Sequence, residues 1–192
     1  MTYFLIIINI LVFIAEIKMG GPSNTNVIIN MGAKVNELII AGEYWRLFTP
    51  MFLHLNYIHI LANMISLRNT GPFVESVVGK INFLLIFIFS GIAGNLMSFI
   101  YSPNISAGAS TSIFGIFGSI VVCGIFYRHN PQIKYAGKVM FRTIIVNLIY
   151  NLYMPYVDIY GHIGGALGGM LITTIMLTIQ KQKRNKTRIK QV

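Results

Sequence analysis

No charged side chain occurs between Ile81 and Tyr101, between Ser110 and Tyr127, or between Thr143 and Val157, and His162 is the one titratable group between Gly161 and Gln180. About twenty mostly apolar residues are what a helix needs to cross a bilayer, so these runs constrain the fold more than any other feature. The spans expected are Met1 to Ile17, Ile58 to Thr70, Ile81 to Tyr101, Ser110 to Tyr127, Met140 to Tyr153 and Gly161 to Ile179. The second and fifth are short or polar, holding His59 and Asn63, and Asn147 and Asn151. Polar groups at that depth must face protein or a water-filled cavity. The expectation is an all-α, polytopic membrane bundle of six transmembrane helices over residues 1–180, followed by a basic tail over 181–192.

Only 10% of the side chains are charged, against roughly a quarter in globular domains. The formal charge of +10 invites a nucleic-acid partner, but the bases are placed for another purpose. Lys181, Lys183, Arg184, Lys186, Arg188 and Lys190 follow directly on an apolar run, as an anchor beside anionic headgroups does. Membrane lipid is the expected partner, and nucleic acid is not. With six spans, Arg68, Lys80, Arg128, Lys134, Lys138 and Arg142 fall on the side of that tail, while the opposite side holds Lys18, Lys34 and Arg46. The positive-inside rule then puts both termini in the cytoplasm, in a multi-pass protein of the cell membrane. Ser110 and His162 each begin a span from the extracytoplasmic side. The first apolar run lacks a basic leader and a small-residue cleavage site, and is read as a retained span. The one cysteine, Cys123, excludes an internal disulfide and a cysteine metal cluster.

A serine and an imidazole at comparable depth suggest a nucleophile and its base. Ser110 shares a helical face with Phe114, Phe117, Gly118 and Val121, whereas Ser112 and Ser119 point elsewhere. Gly108 and the small residues around it leave amides free at a helix start, good donors to an oxyanion, although the same patch would also serve helix packing. His162 heads a stripe with Gly165 and Gly169, and Gly164 with Gly168 forms a second one. Such stripes draw a partner backbone close. They explain the glycines without explaining the histidine. Phe114, one turn beyond Ser110, is placed to stack on the imidazole.

His59 and Asn63 share a face, His54 lies off it, and interhelical hydrogen bonding would account for the pair equally well. A zinc site from His54, His59 and His162 lacks an acidic base and a His-Glu-x-x-His motif, so no metal or organic cofactor is expected. Asp158 is the only aspartate, which excludes a paired-aspartate protease. No lysine lies deep in a span for a serine–lysine dyad. No acid is available as a third triad member. A transporter would keep intramembrane acids for ion coupling, and only Glu16 comes near.

Trp45-Arg46, His54 with His59 and Asn63, Gly71 with Glu75 and Gly79, Gly108-Ala109-Ser110, and His162-x-Gly164-Gly165 occur in one order over roughly residues 43–170. In that order they resemble the rhomboid intramembrane serine proteases of the bacterial six-helix type. The resemblance implies Ser110 as nucleophile, His162 as general base, and His59 and Asn63 as oxyanion donors with the Ser110 amide. Gly108, Phe114 and His54 are supporting residues, His54 matching a position of the same region without a settled role. It further implies single-pass transmembrane proteins as substrates, cut in or near their spanning helix by an active site opening to the extracytoplasmic side. The alternative is a catalytically silent relative that binds membrane clients.

Overall fold

The computed structural model describes residues 1–154 and 157–189, and these form an all-helical bundle. The last residues of the expected tail, Lys190 to Val192, lie outside the described residues. The helices are α1 (Thr2–Lys18), α2 (Thr25–Met31), α3 (Asn36–Ile40), α4 (Tyr57–Val78), α5 (Lys80–Tyr101), α6 (Ser110–Phe126), α7 (Pro131–Leu152) and α8 (Ile159–Ile189). Two short 3-10 turns, Tyr44–Leu47 and Thr49–Phe52, lead into α4. Among the described residues the one β-type pairing is a bridge between Lys34 and Ser106.

Helix α1 is built inside out relative to a water-soluble helix. Its buried face carries Thr2, Leu5, Asn9, Phe13 and Glu16, while Tyr3, Phe4, Ile7 and Leu11 are each more than half exposed. Polar groups turned inward and large apolar groups turned outward are stable where the surroundings are hydrocarbon. Exposed Ile81, Leu85, Leu167 and Leu171 continue the same outward surface on α5 and α8. Among the described residues, α5 and residues Ile159–Lys183 of α8 are long and apolar enough to cross a membrane, and α6 is apolar but shorter.

α6 is the central helix, packed by α4, α5, α7 and α8, while α1 lies on α4. Its residues are small or apolar on every side, and nearly all are buried from Thr111 to Gly124. α7 begins at Pro131, earlier than the apolar run from Met140 indicates. Asn130 caps it by accepting from the amides of Gln132 and Ile133, and Pro131 suits the first helical position. α4 likewise runs past Thr70 to Val78. There Glu75 accepts from the Thr2 amide and hydroxyl, both at 2.8 Å, and so caps α1 across the helix pair.

Candidate active site

Three helix starts converge on the site, each fixed by a local device. Asn56 caps α4 by accepting from the His59 amide at 2.8 Å, which sets His59 in the first turn. Gly108 takes φ +147°, a conformation for which a side chain is unsuited, and α6 begins two residues later at Ser110. Asp158 accepts from the Gly161 amide at 2.9 Å and sets His162 in the first turn of α8.

Glycines then set the depth. A Cβ at Gly165 would strike the Thr111 carbonyl, and one at Gly169 would strike the Gly115 carbonyl. One further step along, the Thr173 hydroxyl donates to Ser119 Oγ at 2.7 Å. Each of these pairs is separated by the same 54 positions, so α6 and α8 run parallel with their backbones touching. Ser110 and His162 therefore begin neighbouring helices at one level. The Phe114 ring stacks on the His162 imidazole, centroids 4.1 Å apart and planes 7° from parallel. Ser112 and Ser119 are engaged elsewhere, Ser112 with Met51 and Ser119 with Gly115 and Thr173.

His59 reaches the same place from α4. A Cβ at Gly108 would sit 2.8 Å from His59 Nε2 and 3.3 Å from Ser110 Oγ, so the absent side chain is what lets the imidazole stand beside the hydroxyl. The Leu55 amide points at His59 Nδ1 at 3.5 Å, a polarity that leaves the proton on Nε2 as a donor. Asn63, one turn further, is buried and its amide nitrogen has no partner. An unpaired buried donor costs roughly 1–3 kcal/mol, which an anion placed before it would relieve.

His54 belongs to a separate packing cluster. It is fully buried, its backbone amide donates to Glu16 at 3.0 Å, and its ring meets Phe13 and His59 edge-on. Burial, with His59 beside it, pushes the His54 imidazole down to about 3, so the ring is neutral. Among the described residues no three His, Cys, Asp or Glu side chains gather to hold a metal ion. Arg46 is structural, and its guanidinium lies over the Trp45 ring at 4.5 Å. Arg46 bonds the Ile29 and Ala33 carbonyls at 2.7 and 3.0 Å and Glu43 at 2.6 Å, holding the segment that carries the two 3-10 turns.

One residue of the site was not anticipated from the sequence. The Asn151 side-chain nitrogen Nδ2, at the end of α7, is hydrogen-bonded to His162 Nδ1 at 2.6 Å, and both side chains are buried. It occupies the place a triad acid would take. An amide within an apolar run is the signal, since an unpaired one would be costly there, but its partner lies across the Tyr153–Asp158 connection.

The chain is similar over this whole region to proteins of one kind. A family model of the Rhomboid domain matches residues 41–179. Rhomboid protease GluP of Bacillus subtilis is 39% identical over 168 residues, covering 88% of this chain and 33% of GluP. The chain thus spans about a third of that relative's length. YdcA of the same bacterium is 33% identical over 145 residues, covering 74% of this chain and 71% of YdcA. RHOMBOID-like protein 9, chloroplastic, of Arabidopsis thaliana is 36% identical over 145 residues, 73% of this chain and 33% of the plant protein. With the matched segment spanning all three converging helix starts, the chain belongs to the rhomboid family.

Proposed function

We propose that this protein is an intramembrane serine protease working through a Ser110–His162 dyad. The observation that carries the reading is the His162 ring, stacked on Phe114 of the helix that Ser110 opens, above the Thr111–Gly165 backbone contact. In the reaction, Ser110 Oγ gives its proton to His162 Nε2 and attacks the scissile carbonyl. The oxyanion that forms meets His59 Nε2–H, the Asn63 amide and the Ser110 backbone N–H, donors already in place before charge develops. The imidazolium then protonates the leaving amine, and water repeats the sequence to release the acyl group.

Asn151 completes the unit. In the structure its Nδ2 faces His162 Nδ1, the arrangement that puts the ring proton on Nε2. For Nε2 to accept from Ser110, Nδ1 must carry the proton, and a half-turn of the Asn151 amide then brings its oxygen round to accept from Nδ1–H. In that second orientation Asn151 holds the productive tautomer, as the acid does in a triad.

The proposed topology is six spanning helices, α1 and α4 to α8, with both termini cytoplasmic and the site open to the extracytoplasmic side. The asymmetry of lysine and arginine supports it. Substrates are single-pass transmembrane proteins, and neither metal nor organic cofactor takes part. The reading of a silent, client-binding relative is not favoured, since both dyad residues are present. The test is to incubate the detergent-purified protein with a tagged single-span substrate, beside Ser110→Ala. Cleavage by the wild type alone is expected. Equal product from both would overturn the proposal.

A further inference from the structure

The end of the bundle opposite Ser110 holds a feature that proteolysis does not use. α6 is 17 residues long, about 25 Å at 1.5 Å per residue, and at its far end it meets α7 through a pair of glycines. A Cβ on Gly124 would lie 2.8 Å from the Gly137 Cα, and the reverse holds equally. Both glycines line a cavity of about 530 Å³. Arg128, Lys134, Lys138 and Arg142 line it too, with Ile125 and Phe141.

The two parts differ in chemistry. Ile125 and Phe141 are 68% and 52% exposed, an apolar surface facing outward. None of the four bases has a carboxylate partner among the described residues, where the ion pairs are Met1–Glu75 and Arg46–Glu43. A charge signal for topology needs bases only somewhere in the loop. Here Lys134, Lys138 and Arg142 recur at four-residue spacing on one face of α7, about 6 Å apart along the axis, so their charges form a strip beside the groove. A ligand that matches must carry an anion at one end and hydrocarbon at the other.

We propose that this groove binds one anionic phospholipid, with its phosphate among Arg128, Lys134, Lys138 and Arg142 and its acyl chain along Ile125 and Phe141. Basic pockets between membrane helices suit such headgroups, and the volume lies within the range of small-molecule sites. The inference rests on α6 and α7 being membrane helices, and is independent of the dyad.

The 192-residue chain, purified in neutral detergent, is titrated with dioleoylphosphatidylglycerol, dioleoylphosphatidylcholine or inorganic phosphate. Retained lipid is counted by native mass spectrometry. One phosphatidylglycerol per protein is expected, with at least about tenfold preference over phosphatidylcholine and no displacement by millimolar phosphate. The triple variant Lys134→Gln, Lys138→Gln, Arg142→Gln should lose the preference, and Arg142→Gln alone should weaken binding about fivefold. The pair Arg68→Gln and Lys80→Gln, charges lost elsewhere, should change neither. Equal binding of the two lipids, displacement by phosphate, or an unchanged triple variant would each overturn the proposal. Ser110→Ala protein should bind as the wild type does, so a failure to cleave and a failure to bind remain separate results.

Discussion

Two helices flank α6, and the chain attaches them in different ways. α8 lies against it through Gly165 and Gly169 and a hydroxyl pair, backbone on backbone over more than two turns. α7 meets it closely at Gly124 and Gly137. Towards its far end α7 exposes Val146, Ile149, Tyr150 and Leu152, with the Asn151–His162 bond reaching back to the site. The first contact is set by shape and admits no side chain. The second hangs on one hydrogen bond near the chemistry. Position of the histidine and polarity of the histidine are thus entrusted to different helices.

That division can be broken at either side, and the largest effect should come from the seam. Gly165→Val would drive a branched side chain into the Thr111 carbonyl. Overpacking of this kind costs about 1–3 kcal/mol or more, and we expect the melting temperature and cleavage to fall together. A variant with normal melting would show the seam to be looser than described. Next in size are Ser110→Ala and His162→Ala, each expected to leave less than about one per cent of wild-type cleavage while melting as the wild type does. More activity than that in both would remove the dyad.

The donors come third. Removing an oxyanion donor costs on the order of 100- to 1,000-fold in turnover. His59→Ala should approach the lower figure, and Asn63→Ala about 10-fold, since two donors remain. Turnover should fall more than apparent affinity, because those bonds strengthen in the transition state. If turnover per folded molecule is unchanged and melting falls instead, the two residues only join helices.

The smallest effect tests α7. Asn151→Leu should lower turnover about 10-fold by releasing the tautomer, with little change in melting, because the seam still holds α8. Asn151→Asp, an acceptor towards Nδ1–H, should recover part of that loss. Equal activity in the two variants would make Asn151 a packing residue.

The sequence was legible where one physical requirement dominates a stretch. Charge-free runs located α5, α6 and the apolar part of α8, because the bilayer tolerates few alternatives. The shared level of Ser110 and His162 was read from the span starts and the placement of the bases, while the glycine stripes indicated the close approach of a partner helix. α7 was truncated in that reading because Lys134, Lys138 and Arg142 interrupt its apolar pattern, although the helix starts at Pro131 and runs through them before its apolar part begins. Lys34 was counted as a loop charge, yet it is fully buried, its ammonium donating to the Asn36 side chain at 3.0 Å and the Ser102 carbonyl at 2.9 Å. Burial holds its pKa below the ordinary value. Asn36 is a near neighbour, but the Ser102 carbonyl lies 68 positions along the chain, and pairing at that distance leaves no local mark. The same holds for Asn151, whose meaning depends on where α8 begins.

The glycine seam has a consequence for register. Gly161, Gly165 and Gly169 repeat every four residues, as a ruler with identical marks does. Sliding α8 by one mark, about 6 Å, would set glycine against the α6 backbone once more. On the side that faces α5 it would not, because Tyr160 would take the place of Gly164, where a Cβ would lie 2.6 Å from the Met97 Cβ. The Thr173 hydroxyl adds to the choice, since in the native setting it meets Ser119. The height of the imidazole is therefore written partly outside the site, in a second glycine face turned to α5 and in a hydroxyl pair about three turns away.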